Sequence, residues 1–370
     1  MSKIEELIQQ YCPDGVEYIA LNELLDYEQP TKYIVNGNKY DDNNPIPVLT
    51  AGKSFVLGYT DEEFGIYKAS KTNPTIIFDD FTTSFHWVEF DFKVKSSAMK
   101  MLRPKNNDFS FRYLYYAMCC IGFVASDHVR HWISQYSHFE IPLPPLPVQE
   151  EIAKILDTFT DLQAELQAEL QARRQQYQYY RDKLLSFEGR DDVEWKKLGE
   201  ICSVLRGKRL TKSQLSPNGK FKVFHGGIDP IGFYDHGNRE ANTTMVINVG
   251  ASAGTVGFSK EEFWSSDGCF CLSHSPKQYS RFVYYYLQTK EKYLMSRVRR
   301  AGIPTLDGKV LEEQTIPVPP LSVQEEIVAT LDKFNTLVND LSQGLPAEIE
   351  ARKRQYEYYR DKLLTFKKKA

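Results

Sequence analysis

Pro144-Pro145-Leu146-Pro147-Val148-Gln149-Glu150-Glu151-Ile152 opens a long helical segment that closes on Tyr177-Gln178-Tyr179-Tyr180-Arg181-Asp182-Lys183-Leu184-Leu185. Both ends recur. Pro319-Pro320-Leu321-Ser322-Val323-Gln324-Glu325-Glu326-Ile327 repeats the opening 175 residues later (319 − 144). Tyr356-Glu357-Tyr358-Tyr359-Arg360-Asp361-Lys362-Leu363-Leu364 repeats the close 179 residues later (356 − 177). Self-similarity over so long an interval marks a tandem repeat, and it orders the chain as globular unit, helix, globular unit, helix.

The helices carry a coiled-coil-like stripe. In the first, apolar residues at 152, 156, 159, 162, 166 and 170, then 177, 180 and 184, follow steps of three and four. The second offers Ile327, Leu331, Phe334, Leu337, Leu341, Leu345, Ile349, Tyr356, Tyr359 and Leu363. Each would be about 55 Å long at 1.5 Å per residue, and a single helix with one apolar stripe needs a partner. The expected partner is the other helix, packed antiparallel, with the globular units at opposite ends in a pseudo-two-fold arrangement. Gly344-Leu345-Pro346-Ala347 supplies the four extra residues of the second helix; four residues shift the seam without breaking it. Pro346 is expected to kink that helix or start a new one. The tandem Gln163-Ala164-Glu165-Leu166-Gln167-Ala168-Glu169-Leu170 is strong helix former with the character of a spacer.

The first globular unit mixes short strand-like runs with turn signals. Pro45 to Thr50 and Thr75 to Phe78 have strand character, Trp87 to Val94 alternates at period two, and Phe111 to Met118 suits a short buried helix after Asp108. The second unit follows the same plan: Val193 to Leu198 echoes Val16 to Leu21, Lys222 to Gly227 echoes Pro47 to Gly52, and Arg281 to Leu287 echoes the Tyr113-rich helix. The fold class is α+β. Two similar mixed α/β domains, 1–141 and 189–316, alternate with two long antiparallel coiled-coil helices, 142–188 and 317–370, as a tandem repeat.

Composition, 42% hydrophobic and 26% charged, is that of an ordinary soluble chain. No run of about 18 apolar residues is present to span a bilayer, and the polar N-terminus lacks a signal-peptide core. Cys12, Cys119, Cys120, Cys202, Cys269 and Cys271 form neither CxxC pairs nor zinc spacings. Reduced, mostly buried thiols in a cytoplasmic protein are expected. Net charge is −3, unevenly spread. Counting Lys+Arg minus Asp+Glu, residues 1–141 give 13 − 19 = −6 and 142–188 give 5 − 8 = −3. Residues 189–316 give 19 − 14 = +5 and 317–370 give 9 − 8 = +1. Of the two globular units, only the second is basic.

Its basic residues cluster. Arg206, Lys208, Arg209 and Lys212 form one group, and Arg297, Arg299 and Arg300 another, both beside aromatic-rich segments; phosphate or base contact and a solvated face are the two readings. Val249 to Gly257 is glycine-rich and follows a strand. It lacks the Lys-Ser/Thr of a nucleotide-binding loop, but suits close approach of backbone and Ser252 to DNA phosphate. His225, in the strand-end segment Lys222 to Gly227, is a further candidate for DNA contact. In the first unit Lys53, Lys68, Lys71 and the run Thr82-Thr83-Ser84 are weaker candidates, and His128-Val129-Arg130-His131 offers Arg130 and His131 for DNA rather than a metal shell. The chain has no GxSxG or HExxH motif and reads as non-catalytic. The repeated tyrosine-rich ends, with Tyr177, Tyr180, Arg181, Tyr356, Tyr359 and Arg360, suit a docking surface. The residues alone leave open a non-catalytic scaffold joining two protein-binding domains.

The doubled Pro-Pro-Leu-Xaa-Xaa-Gln-Glu-Glu-Ile openings and Tyr-Xaa-Tyr-Tyr-Arg-Asp-Lys-Leu-Leu closings resemble the specificity subunit of type I restriction–modification systems, over essentially the whole chain. The resemblance implies that each domain recognises one half of a bipartite, asymmetric double-stranded DNA target. It implies that the helices set the gap between half-sites and dock two methyltransferase subunits, followed by two restriction subunits. Such a subunit binds no cofactor of its own; S-adenosylmethionine, ATP and Mg would belong to its partners.

Overall fold

The same three sheets are built twice. The computed structural model describes residues 2–50, 55–125, 129–187, 189–190, 192–273, 275 and 278–369. It divides into two compact units that cut across the tandem order: residues 1–165 with 349–370, and residues 166–348. The first unit therefore takes in the end of the second helical region.

Along the first unit run α1 (Lys3–Tyr11), β1 (Glu17–Ala20), α2 (Leu21–Leu24), β2 (Leu25–Glu28), β3 (Ile46–Leu49), β4 (Val56–Thr60), β5 (Thr75–Asp79), β6 (Phe85–Val88), β7 (Lys93–Val94), β8 (Met99–Pro104), α3 (Phe111–Met118), β9 (Glu140–Leu143) and the start of α4 (Leu146–Leu184). One antiparallel sheet has the order β2-β8-β5-β6, a second β4-β3-β7 with β3 and β7 parallel, and β1 pairs with β9. The central strand β5 is buried at all five positions, which is why its sequence runs apolar instead of alternating. Ile76 and Phe78 enter the core shared with α3, α4 and Leu363, while Ile77 enters a second core with Phe92, Val94 and Met101. The alternating run 87–94 is not one strand: β6 ends at Val88, and the chain turns before β7. Ser110, not Asp108, caps α3, its hydroxyl accepting from Tyr113 N at 3.3 Å.

The second unit continues along α4 and then gives β10 (Glu194–Lys197), α5 (Leu198–Ile201), β11 (Val204–Arg206), β12 (Phe221–Phe224), β13 (Gly232–Tyr234), β14 (Thr243–Ile247), β15 (Val256–Ser259), β16 (Phe263–Ser265), β17 (Cys269–Leu272), α6 (Ser280–Thr289), α7 (Glu291–Ser296), α8 (Gly308–Glu312), β18 (Thr315–Val318) and α9 (Leu321–Asn339). Its sheets are β11-β17-β14-β15, β13-β12-β16 with β12 and β16 parallel, and β10-β18. Strand for strand this is the first unit again. Burial raises the thiols of Cys202 to about 11 and Cys269 to about 12.

Two sets of side chains explain the repeated opening motif. Gln149 is 2% exposed; its carbonyl oxygen accepts from Ser110 N at 2.9 Å and its amide donates to Pro144 O at 2.6 Å. Gln324, fully buried, accepts from Tyr279 N and donates to Pro319 O, each at 2.8 Å. Each glutamine thus ties the proline turn to the start of the short aromatic helix. Eight residues further on (157 − 149), Asp157 accepts from Arg112 Nε and the Tyr116 hydroxyl, both at 2.6 Å. Asp332 likewise accepts from Arg281 Nε at 2.8 Å and from the Tyr285 hydroxyl.

Within each unit the helical segments run antiparallel. In the first, Lys368 pairs with Glu140 just before α4, while Phe159 further along α4 stacks on Tyr359 at 5.5 Å. In the second, β10 pairs with β18 at the start of α9, and Tyr180 stacks on Phe334 at 5.7 Å. The second helical region is broken: α9 ends at Asn339 and α10 (Leu345–Leu363) begins with Pro346 at its second position. Asp340 accepts from Ser342 N at 2.8 Å, and a Cβ on Gly344 would lie 2.3 Å from Thr336 O, so the break needs glycine there.

Replacing Gln149 or Gln324 with leucine leaves a buried N–H and a buried carbonyl unpaired, at about 1–3 kcal/mol each. Both variants are expected to lose about 2–5 kcal/mol of stability by urea denaturation, whereas Glu150→Gln and Glu325→Gln, at exposed positions, should lose less than about 0.5 kcal/mol.

Candidate nucleic-acid interface

In the second unit Arg206 of one basic cluster meets Arg297 and Arg299 of the other, separate in sequence, at one end of the β11-β17-β14-β15 sheet. The glycine-rich loop after β14 is bound to the segment after α7: Gly250 N donates to Pro304 O at 2.9 Å and Leu306 N to Asn248 O at 2.8 Å. Arg299 and Thr305 pair through both backbone hydrogen bonds, at 2.9 and 3.0 Å, closing a hairpin. Arg206, at the end of β11, and Arg297 and Arg299 line one cleft of about 400 Å3 with Asn248 and Phe270. Arg206 Nε donates to Asp267 O at 3.2 Å, and the Asp267 carboxylate lies 3.5 Å from His225 Nδ1. Lys208, Arg209 and Lys212 follow on an exposed segment held by Lys208 N to Ser265 O at 2.9 Å and Trp264 Nε1 to Lys208 O at 3.0 Å. Among the described residues none of these lysines and arginines, nor Arg300, has a carboxylate at salt-bridge distance. Ser252 is half-buried in the loop. The surface is exposed, cationic and flanked by aromatic rings, as a phosphate-tracking surface must be.

A family model described as the type I restriction modification DNA specificity domain matches this chain twice, over 13–173 and 190–351. The chain belongs to that family. The specificity subunit of the Escherichia coli type I restriction enzymes EcoR124I/EcoR124II is 40% identical over 402 residues, covering 100% of this chain and 98% of that one. The specificity subunit of the Mycoplasma pneumoniae enzyme MpnII is 28% identical over 305 residues, 63% of this chain and 91% of that one. Among solved structures, the S subunit of a type I system from M. genitalium aligns with TM-score 0.68 at 19% identity over 95% of this chain and 96% of that one. A chain of a structure titled for complex assembly and conformational transition of a type I system aligns with TM-score 0.55, also at 19% identity, over 95% and 98%. These two likenesses bear on the fold.

The first domain of this specificity subunit treats its charges differently. The loop between β5 and β6 stands where the glycine-rich loop stands in the second domain, and it is neutralised from within. Lys100 and Asp80 form an ion pair at 2.9 Å with both side chains 1% exposed. His131 N donates to Asp80 O at 2.8 Å, and the residue itself is buried. Thr83 is buried at φ +59° with its hydroxyl turned onto Thr82 O, so Thr83 and His131 serve the loop's shape and are withdrawn from its surface. Thr82 and Ser84 are exposed and bond each other at 2.9 Å. Lys68 is tied to Asp91 at 2.6 Å; Lys71 and Arg130 are exposed. Lys53 lies outside the described residues.

The tyrosine-rich closings of the specificity subunit split by face. Tyr177 is buried, Tyr180 and Tyr359 stack on Phe334 and Phe159, and Tyr356 packs on the first core. Arg181 and Arg360 pair with Asp182 and Asp361 at 2.9 and 2.7 Å. The most exposed tyrosines are the middle ones, Tyr179 at 62% and Tyr358 at 61%, against 37% for Tyr180 and 36% for Tyr359. The steps of three and four that place Tyr177 and Tyr180 on the seam also turn Tyr179 away from it, which is the signal that distinguishes them.

Triple replacement of Arg297, Arg299 and Arg300 by alanine should flatten the log-affinity versus log-salt slope by up to about 2–3, at about 0.9 for each phosphate no longer neutralised. Lys68→Ala, removing a cation already paired, should change the slope by less than about 0.5 in the same fluorescence-anisotropy titrations.

Proposed function

We propose that each domain reads one half of a bipartite, asymmetric double-stranded DNA sequence, and that the helical region sets the unread gap between the halves. The observation that carries this is one fold built twice with unlike side chains on equivalent loops. Asp80 to Ser84 holds a buried ion pair in one copy; Asn248 to Gly254 stands beside arginines free of carboxylate partners in the other. Two copies of one reader with different surfaces suit two different half-sites. Family membership supports a non-catalytic role within a complex of two methyltransferase and two restriction subunits. S-adenosylmethionine, ATP and Mg would be held by those partners. Tyr179 and Tyr358, the most exposed tyrosines at equivalent places on α4 and α10 beside Lys183 and Lys362, suit the methyltransferase docking surface better than Tyr177, which is buried. No helix among the described residues is long and apolar enough to cross a membrane, and a DNA-reading role places the chain in the cytoplasm.

Methylome sequencing of a host expressing this chain with its cognate methyltransferase tests the reading: a two-part motif with unlike halves is expected, and a continuous or symmetric motif would overturn it. The spacer gives a second test. Residues 163–170 lie inside the unbroken α4, with Leu166 and Leu170 buried. Deleting Gln167 to Leu170 removes about 6 Å of helix and turns the remainder by about 40°, keeping a leucine on the seam. Both half-sites should persist while the gap shortens by about one or two base pairs at about 3.4 Å each.

A further inference from the structure

We propose that Ile303 is an apolar wedge that enters between base pairs of the half-site read by the second domain. The inference rests on the DNA-reading assignment above and adds to it a deformation of the DNA. Ile303 sits at the tip of the hairpin closed by Arg299 and Thr305 and is 71% exposed. A single exposed aliphatic residue is ordinary on a protein surface; its setting here is not. The three arginines 297, 299 and 300 precede it on the same segment, all exposed, so the side chain is presented where polyanion would lie closest. The tip is also held firmly. Thr305 Oγ1 donates to Ile303 O at 2.8 Å, Gly250 N to Pro304 O at 2.9 Å, and Leu306 N to Asn248 O at 2.8 Å. Gly302 makes the turn at φ +85°, with open space around the place its Cβ would occupy. A β-branched side chain on a fixed tip loses little conformational freedom on insertion.

The counterpart segment of the first domain shares one of these anchors, His131 N on Asp80 O matching Leu306 N on Asn248 O. That segment carries Val124, 84% exposed, and Val129, 48% exposed, next to exposed Arg130. An aliphatic side chain beside arginine on an anchored loop is the pattern by which proteins part a base step: the cation holds the backbone while the wedge unstacks the bases. Unstacking is least costly at pyrimidine–purine steps, so the wedge would add sequence preference without a hydrogen bond to any base.

The test uses the full chain, in the methyltransferase complex if it purifies with one, and duplexes of the mapped target carrying 2-aminopurine at successive positions of each half-site. Binding should raise 2-aminopurine emission several-fold at one step of the second domain's half-site. Ile303→Ala should abolish that rise, weaken binding about 5- to 20-fold and leave the salt slope unchanged, because every phosphate contact is kept. A mismatch at the same step lowers the cost of unstacking, so it should tighten binding by the wild type and leave Ile303→Ala nearly unchanged. Salt-dependent binding by both proteins with no emission change at any position of that half-site overturns the wedge and leaves the DNA-reading assignment standing. Absence of salt-dependent binding by the wild-type chain overturns both. Ile303→Leu, which keeps an aliphatic tip, should retain most of the emission rise, and its behaving like alanine would also count against insertion.

Discussion

Asp157 and Asp332 fix each helix to the domain it serves. Each accepts from an arginine and a tyrosine one helical turn apart on a short aromatic helix, Arg112 and Tyr116 or Arg281 and Tyr285. Each arginine is in turn sandwiched by rings: Arg112 lies 4.7 to 5.1 Å from Trp87, Tyr116 and Tyr115, and Arg281 4.5 to 4.8 Å from Phe258, Tyr284 and Tyr285. An exposed ion pair contributes about 1 kcal/mol or less, and losing one partner of a buried pair costs about 3–5 kcal/mol. These pairs are intermediate, with the carboxylates 38% and 41% exposed and the guanidinium groups 23% and 8%. The cation–ring contacts add about 0.5–2 kcal/mol. Orientation matters more than the total: a fork of donors fixes the helix against its domain about an axis that apolar packing alone leaves free to slide.

The buried glutamines act at the other end of the same junction. An apolar helix start could pack against α3 or α6 in several rotations, since dispersion is not directional. Gln149 and Gln324 remove that choice, because each must meet one N–H and one carbonyl at once. Glutamine and aspartate lie eight residues apart in each copy (157 − 149 and 332 − 324), so both point from one side of the helix. A recognition domain set at a fixed angle to its helix is what a fixed gap between two half-sites requires.

Much of this was legible in the sequence, and for definite reasons. The repeat declared the architecture, and Ile152, Leu156, Ile327 and Leu331 fell on the seam because a 3.6-residue period leaves few alternatives. Thr75 to Phe78 was legible as a strand through its β-branched run. Residues 87–94 were not, since the alternation joins the end of one sheet's edge strand, at Val88, to Lys93–Val94 at the edge of another. Arg112 and Arg281 were hidden by distance: an arginine four residues before a tyrosine occurs in both copies, but its aspartate partner is 45 or 51 residues away. Thr83 and His131 were offered as DNA contacts by residue type, and only the fold reveals that both are buried. For Tyr177 the seam and the docking surface drew on one residue, and packing took it first; Tyr180 stacks on Phe334 and keeps an exposed edge.

The domains differ in where each places its counter-ions as well as in net charge. Sequence totals of −6 and +5 suggest an acidic reader and a basic one, yet the Lys93–Glu62 and Lys100–Asp80 pairs, with both lysines buried, contribute little to the outer field of the first domain. Its surface cations are dispersed: Lys71 and Arg130, with Lys68 held by Asp91. At the corresponding place in the second domain Asn248 stands where Asp80 stands, and the positive charge moves out to Arg206, Arg297 and Arg299 around an open cleft. Exchanging one buried carboxylate for an amide removes the reason to keep a lysine inside and frees the loop to be glycine-rich. The residue after the central strand, Asp80 or Asn248, thus bears both on what the interior must neutralise and on the loop that follows it at the surface.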